Sequence, residues 1–246
     1  MSFRLPTTEE KADYVLDQFN RIARRYDLAN DAISLGMHRL WKETVINRLD
    51  IQRDGQYLDV CCGTGDLTLR IARQLSGNGK VMGLDFSPNM LAVAQQRLQK
   101  KQNELELRQL PQIDFVEGDA QNLPFPDNHF NGAVISFGLR NLTNIEKGLT
   151  EMRRVVKPDG KVINLDLGRP TNWLFTPVYY FYFRHIVPII GQLLQKDMQA
   201  YTYLPESLST YPTPQKISEL FKSIGLSNVE HVPLAMASVA LHIGTK

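Results

Sequence analysis

The chain has 246 residues with 28 Lys plus Arg against 26 Asp plus Glu, a net charge of +2, and 43% of its residues are hydrophobic. That composition excludes a disordered tail, a collagen-like repeat and a dedicated nucleic-acid binder with a large basic excess. The only two cysteines, Cys61 and Cys62, are adjacent, which suits neither a structural disulfide nor a metal pair and points to a reducing compartment.

Residues Met1–Glu10 carry no apolar run and turn acidic at once, so no secretory signal is read and the protein is expected to stay in the cytoplasm. Ala12, Val15, Leu16, Phe19, Ile22, Ala23 and Tyr26 recur at helical spacing and predict one amphipathic helix over Glu9–Asp27. A second helix is predicted over about Met37–Leu49.

From there strands and helices alternate as a parallel sheet requires. Strands are predicted at Tyr57–Cys62, Lys80–Leu84, Ile113–Glu117, Gly132–Phe137 and Lys161–Leu165, and helices at Asp66–Leu75, from Pro88 to about Lys101 behind a Ser87 cap, and at Ile145–Val156. A turn at Lys157–Gly160 precedes the fifth strand. Ile217–Ile224 reads as a helix, and Asn228–Pro233 with Ser238–Ile243 as a closing pair of strands. The fold class is therefore α/β, Rossmann-like, with a mostly parallel seven-stranded sheet, helices on both faces and an N-terminal helical lid. It is organised as a single domain: lid over 1–52, cofactor core over 53–168, an aromatic insertion over 169–212 and a terminal helix with strands over 213–246.

Trp173–Leu194 is dense in aromatic and aliphatic residues, but Arg184 divides it and Pro177 and Pro188 interrupt it. Each uncharged run is shorter than the ~20 residues a spanning helix needs. A lipid tunnel or an interfacial helix, and a core or dimer-interface element, account for it equally well.

The first strand runs into Cys62-Gly63-Thr64-Gly65-Asp66, a glycine-rich turn whose backbone can approach a ligand closely. Asp85 lies twenty residues past Gly65, at a strand end, where a carboxylate can accept hydrogen bonds from both hydroxyls of a ribose. A dinucleotide fingerprint would need glycine where Thr68 stands, and Asp66 would repel a pyrophosphate. A nucleoside cofactor without phosphate, S-adenosylmethionine, fits better. Asp119, after the third strand, can accept from an adenine amino group, and Ser136 to Asn141 end the fourth.

The runs Arg25-Tyr26-Asp27, Ser34-Leu35-Gly36-Met37-His38-Arg39-Leu40-Trp41-Lys42, Cys62–Thr68, Leu123–Asn128 and Ser136-Phe137-Gly138-Leu139-Arg140-Asn141, with Tyr203–Ser207 and Ala240–Gly244, resemble the ubiquinone/menaquinone C-methyltransferase family. The resemblance covers nearly the whole chain, and Asp59–Gly65 with Tyr180–Pro188 are more similar to its menaquinone-forming branch. It implies methylation of a ring carbon of a prenylated demethylnaphthoquinol with S-adenosylmethionine as donor, a benzoquinol or another small hydrophobic acceptor being the alternative. By match of motif Asp59, Gly63, Gly65, Thr68, Asp85, Asp119, Ala120 and Ser136 fall to the cofactor.

Carbon methylation of a phenol needs the phenolate favoured. Arg140 is assigned that role, as a cation that stabilises the phenolate while a water removes the proton, with Tyr26 and Asn141 orienting. A salt bridge to Asp27 or Asp31 is the competing explanation for Arg140. His38, His129, His185, His231 and His242 show no metal-ligand spacing, so no metal is expected. His38 is a candidate general base, but without a second titrating partner in its motif a helix-surface or packing role is the favoured reading. The expected partners are the prenylated quinol, a membrane contacted peripherally and a second copy in a homodimer, with no nucleic acid. An oxidoreductase and a non-catalytic binding module remain alternatives that a cofactor-binding comparison and a turnover assay would separate.

Overall fold

The computed structural model describes residues 6–7, 9–103, 111–195, 203–204 and 207–246, so part of the aromatic insertion lies outside the described residues. Three helices come first, α1 (Lys11–Ile22), α2 (Tyr26–Ser34) and α3 (His38–Leu49). In the turn that leads into the first, the side chains of Thr7 and Glu10 each accept from the other's backbone N–H. The single helix expected over Glu9–Asp27 is two: a 3₁₀ turn at Ala23–Arg25 breaks it, and α2 ends where Leu35 and Gly36 take positive φ. The apolar spacing continues through this break, so the sequence pattern does not register it, but the new axis turns Asp27 to accept from Thr64 Oγ1 at 2.8 Å and to pair with Arg97.

The sheet follows as β1 (Gln56–Val60), α4 (Asp66–Ala72), β2 (Lys80–Asp85), α5 (Pro88–Asn103), β3 (Gln112–Glu117), β4 (Phe130–Ser136), α6 (Ile145–Val155) and β5 (Val156–Leu167). After it come α7 (Phe175–Phe181), a π-helical turn at Tyr182–Ile186, α8 (Val187–Gln195), α9 (Pro214–Ser223), β6 (Ser227–Leu234) and β7 (Val239–Thr245). The strands stand in the order β3-β2-β1-β4-β5-β7-β6, with β7 antiparallel to both neighbours and the first five parallel. Tyr57, Leu58, Asp59 and Val60 are all buried, as befits a central strand covered on both faces.

The fifth strand is longer than the predicted Lys161–Leu165. Phe130 pairs with Val156 and Gly132 with Lys161, so residues 157–160 bulge within one strand, Asp159 at φ 66°. The C-terminus holds that bulge: Asp159 N–H donates to the Lys246 carbonyl at 3.1 Å and Lys246 N–H to that of Gly160 at 3.0 Å.

Two apolar clusters cover the two faces. One, around Ile71, Val81, Val134, Ile163 and Leu241, extends to Tyr179, Phe183 and Val187 of the insertion. The other gathers Leu58, Leu84, Ile135, Leu149, Met152 and Phe221. α1 crosses the carboxyl ends of the strands, where Lys11 Nζ donates to the carbonyls of Arg140 and Leu142 at 3.0 and 2.8 Å and Ser87 Oγ donates to Asn20 Oδ1 at 2.7 Å. Ser87 also caps α5 by accepting from Met90 N–H. Among the described residues no helix is long and apolar enough to cross a membrane.

Candidate active site

A parallel sheet leaves its ligand crevice at the carboxyl ends of its strands, and the chain turns there with unusual backbone. Cys61 and Gly63 both have φ 55°, Gly65 has φ 75° at the N-terminus of α4, and Phe137 has φ 57° just past β4. A Cβ on Gly65 would lie 2.8 Å from the Phe115 ring, so this glycine serves conformation and packing and does not line the crevice.

Two cavities meet at this edge. The first, about 270 Å³, is bounded by Gly63, Asp85, Gly118, Asp119, Ala120 and Ser136 from the strand ends and by Ala12, Phe19 and Tyr26 from the N-terminal helices. The second, about 120 Å³, lies between α2, α3 and the aromatic insertion, with Ile33, Trp41, Tyr179, Phe183 and Arg140 among its walls. Tyr26, Cys61, Gly63, Ser136 and Phe137 line both.

Asp85 is fixed from two sides. Gly63 N–H donates to its Oδ2 at 2.8 Å and Ser87 N–H to its Oδ1 at 2.9 Å, which leaves lone pairs for hydroxyl donors. Burial nevertheless outweighs these bonds and pushes the carboxyl up to about 6. Asp119 is exposed and accepts from Gln121 N–H at 2.9 Å, while Gln121 Oε1 accepts from Asn144 N–H and Thr143 Oγ1. Gln121, absent from the sequence reading, thus ties the rim of the first cavity to the start of α6. The side chain of Asn144 caps that helix.

Asp59 and Thr68 sit elsewhere. Thr68 Oγ1 donates to Asp59 Oδ2 at 2.6 Å in the interior, Thr68 lines neither cavity, and Asp59 borders only the second. Their bond fastens α4 to β1 beneath the glycine turn, and burial raises the Asp59 carboxyl to about 7. Asp66 differs again: burial opposes its charge, yet Lys42 and Arg70 prevail and hold it at about 2, with Lys42 Nζ 3.0 Å away.

Arg140 is buried where β4 ends. Its Nη1 donates to Asp166 Oδ1 at 2.6 Å and to the Phe137 carbonyl at 2.7 Å, and its backbone N–H donates to Asp166 Oδ2 at 3.1 Å. The carboxylate that balances it is therefore Asp166; Asp27 serves Arg97 and Asp31 serves Arg39. Asp166 was not singled out in the sequence, although its place at the end of the fifth strand is the same kind of signal that marked Asp85. Four residues that line these cavities carry a buried polar atom with no hydrogen-bond partner, Ser136 Oγ, Arg140 Nε, Asn141 Oδ1 and Tyr179 Oη, and Tyr203 Oη, outside both linings, is a further one. Native interiors rarely leave such atoms unmatched, and their concentration around the two cavities marks a place for a polar ligand. Burial raises Tyr203 to about 12 against the pull of Arg140, so that phenol stays protonated.

Comparison with known proteins decides the class. The model of the ubiE/COQ5 methyltransferase family matches residues 7–246. The chain belongs to that family. The demethylmenaquinone methyltransferase of Bacillus cereus (strain B4264) is 40% identical over 238 residues, which span 97% of this chain and 98% of that one. Among solved structures, a SAM dependent methyltransferase from Aquifex aeolicus superposes with a TM-score of 0.57 at 18% identity over 82% of this chain and 88% of its own. Haemonchus contortus phosphoethanolamine N-methyltransferase 2, solved in complex with S-adenosyl-L-methionine, gives 0.59 at 18% identity over 84% of this chain and 52% of its own. Membership of the ubiE/COQ5 family makes the chain a methyltransferase, with S-adenosylmethionine as the methyl donor.

Proposed function

We propose that the enzyme methylates a ring carbon of a reduced, prenylated demethylnaphthoquinol, giving menaquinol in menaquinone biosynthesis. The observation that carries this reading is the pair of cavities with a common wall: one is edged by the Asp85 carboxylate, the other is aromatic and contains Arg140. The name of the Bacillus cereus relative points to the same substrate.

The first cavity fits S-adenosylmethionine. Asp85 has lone pairs directed at two donors, Ser136 Oγ lacks a partner, and the Gly118–Ala120 strand end provides a flat, half-polar edge for a base. We assign Gly63, Asp85, Asp119, Ala120 and Ser136 to direct contact, and Asp59, Gly65 and Thr68 to shaping the turn from behind. Bound there, S-adenosylmethionine supplies an electrophilic methyl group on a sulfonium.

The second cavity takes the quinol ring. Arg140 stays charged at any working pH, and with Nη1 committed to Asp166 its unmatched Nε is free for a phenolate oxygen. Tyr26, on the common wall, orients the ring, and Asn141, which lines the first cavity with an unmatched Oδ1, acts from the cofactor side. The N-terminal helices α1 to α3 act as the lid: Ala12, Phe19 and Tyr26 close the first cavity and α2 and α3 the second, which excludes water and holds the reacting atoms together, a source of roughly 7–11 kcal/mol of barrier lowering.

The prenyl tail needs a route from a bilayer. Leu35 and Leu40 near the α2–α3 turn and Trp173, Val178, Phe181 and Leu193 in the insertion are exposed, the 3₁₀ turn before α2 is tied to α8 by Arg25 Nη1 donating to the Leu194 carbonyl, and Arg24, Arg39 and Arg184 are solvent-facing. We assign this face to peripheral contact with an anionic membrane surface, a homodimer contact being the competing use.

The test is methyl transfer from labelled S-adenosylmethionine to a reduced demethylnaphthoquinol, run beside a benzoquinol analogue and the oxidised naphthoquinone. Label in the reduced naphthoquinol alone is the expected result. Label only in the benzoquinol, or in none while the cofactor still binds, overturns the substrate assignment.

A further inference from the structure

His38, the first residue of α3, is buried and stands between two spaces. It lines the second cavity, and it also lines an open polar groove on the outside of the molecule bounded by Asp31, Arg39, Asp66 and Arg70. Donor accounting determines its tautomer. Ser34 Oγ lies 2.6 Å from the Asn30 carbonyl, which can only accept, so the single hydroxyl hydrogen goes there. Nδ1 of His38 lies 2.8 Å from the same Oγ and must supply the hydrogen they share. Nε2 is left with its lone pair free.

Around that nitrogen the charges are mixed. Asp31 Oδ1 is 3.7 Å away, with both Asp31 oxygens held by Arg39 at 2.9 and 2.6 Å. Burial, then Lys42, lower the pKa of the ring; Asp31 and Asp66 pull it up and Arg39 pushes it down, and the outcome is below the ordinary histidine value. The imidazole is thus unprotonated near neutrality, with a carboxylate in place to receive the imidazolium.

We propose that His38 Nε2 accepts the proton lost by the acceptor hydroxyl in the second cavity and passes it to solvent in the outer groove. The inference rests on the quinol reading above. The phenolic O–H bond breaks and its electron pair moves into the ring. The ring carbon bonds to the methyl carbon as the C–S bond breaks, its pair remaining on sulfur. That carbon's own hydrogen then moves as a proton to the oxygen and restores the aromatic ring. One proton per methyl leaves through His38. Arg140 stabilises the phenolate and His38 removes the proton, two tasks that a single permanently protonated guanidinium cannot both perform.

The experiment measures kcat against pH at saturating S-adenosylmethionine and reduced demethylnaphthoquinol for the wild type, His38→Ala, His38→Asn and Ser34→Ala. Wild-type kcat is expected to fall on the acid side with the slope of one proton. His38→Ala should lose about 100-fold in kcat, keep the KM of both substrates, lose the acid limb and recover activity with added imidazole. Ser34→Ala, which frees the tautomer, should show a smaller loss. A wild-type kcat with no acid limb overturns the proposal whatever the variants do, and so does a His38 variant with near wild-type kcat and an unchanged profile. Absence of wild-type turnover on any naphthoquinol would instead overturn the substrate assignment, which separates the two failures.

Discussion

Arg140 and Asp166 form a buried ion pair across the adjacent ends of β4 and β5, Nη1 to Oδ1 at 2.6 Å, with both side chains almost wholly out of solvent. The pair binds the loop after β4 to the sheet and, under the proposed function, also sets which edge of the guanidinium remains for substrate. Removing Arg140 alone leaves a carboxylate buried without its cation, at a cost of roughly 3–5 kcal/mol. An Arg140→Met/Asp166→Asn double variant should therefore recover most of the stability that Arg140→Met loses, while turnover stays lost in both. Denaturant midpoints and methyl transfer, measured on the same preparations, check this. Recovery of activity together with stability would make the pair structural only.

Asp85 gives the cofactor site a pH dependence. Its carboxyl is raised by burial to about 6, and under the proposed ribose contact its ionised form is the better acceptor for two hydroxyls, because protonation turns one of its oxygens into a donor. The free enzyme then binds more protons than the complex below about 6, so affinity rises with pH up to that value and is level above it. Calorimetric titration with S-adenosylmethionine should show weakening as pH falls through about 6, and Asp85→Asn should bind weakly at every pH. Equal affinity for the wild type at pH values well above and well below 6 would remove Asp85 from the ribose contact.

Much of this arrangement was legible in the sequence because parallel strands read as apolar runs and their carboxyl ends as small or polar residues. Asp85, Asp119 and Ser136 stand out that way. Spacing locates a residue but does not say where its side chain points: Thr68 lies in the right turn, yet its hydroxyl faces Asp59. Asn30 and Asp31 are poor helix formers, and α2 exists where it does because of Asp27 on Thr64 and the packing of α8, contacts far apart in sequence. For His38 the sequence favours a packing role over a general base for the same reason. Its partner Ser34 is four residues back, but the two stand on different helices across the turn at Leu35 and Gly36, and neither that turn nor the cavity on the other side of the ring is marked in the sequence.

Leu35 and Leu40 beside the α2–α3 turn and Trp173 and Phe181 of the insertion are large apolar side chains left exposed. Replacing Leu35 and Trp173 by Asp should abolish co-sedimentation with anionic vesicles and leave kcat on a short-tailed, water-soluble quinol unchanged. Unchanged vesicle binding, or conversion of a dimer to a monomer by the same substitutions, would assign the face to a second copy of the chain.

Gly65→Ala tests the turn. The new Cβ would require φ 75° and would meet the Phe115 ring at 2.8 Å and Ala94 Cβ at 3.0 Å. The strained backbone alone costs on the order of 1–3 kcal/mol. Because the displaced loop carries the Gly63 N–H that holds Asp85, S-adenosylmethionine affinity should fall along with thermal stability. A variant that is destabilised but binds the cofactor normally would show that the two are uncoupled.

His242 predicts the acid sensitivity of the fold. It is buried in β7, its Nε2–H donates to the Pro214 carbonyl at 2.9 Å, and its ring stacks on His231 with centroids 5.0 Å apart. Burial lowers its pKa from 6.5 to about 4, against the Pro214 bond and with the help of His231. Between those values the unfolded chain binds the proton and the folded chain does not, so stability is full above about 6.5 and is lost as pH falls toward 4. A shift of that size corresponds to about 3 kcal/mol. His242→Gln keeps a donor for Pro214 without the titration, and should be less stable than the wild type at neutral pH but lose less on acidification. Urea unfolding of both proteins at neutral pH and at about pH 4.5 measures the difference, and parallel losses would place the acid-labile group elsewhere.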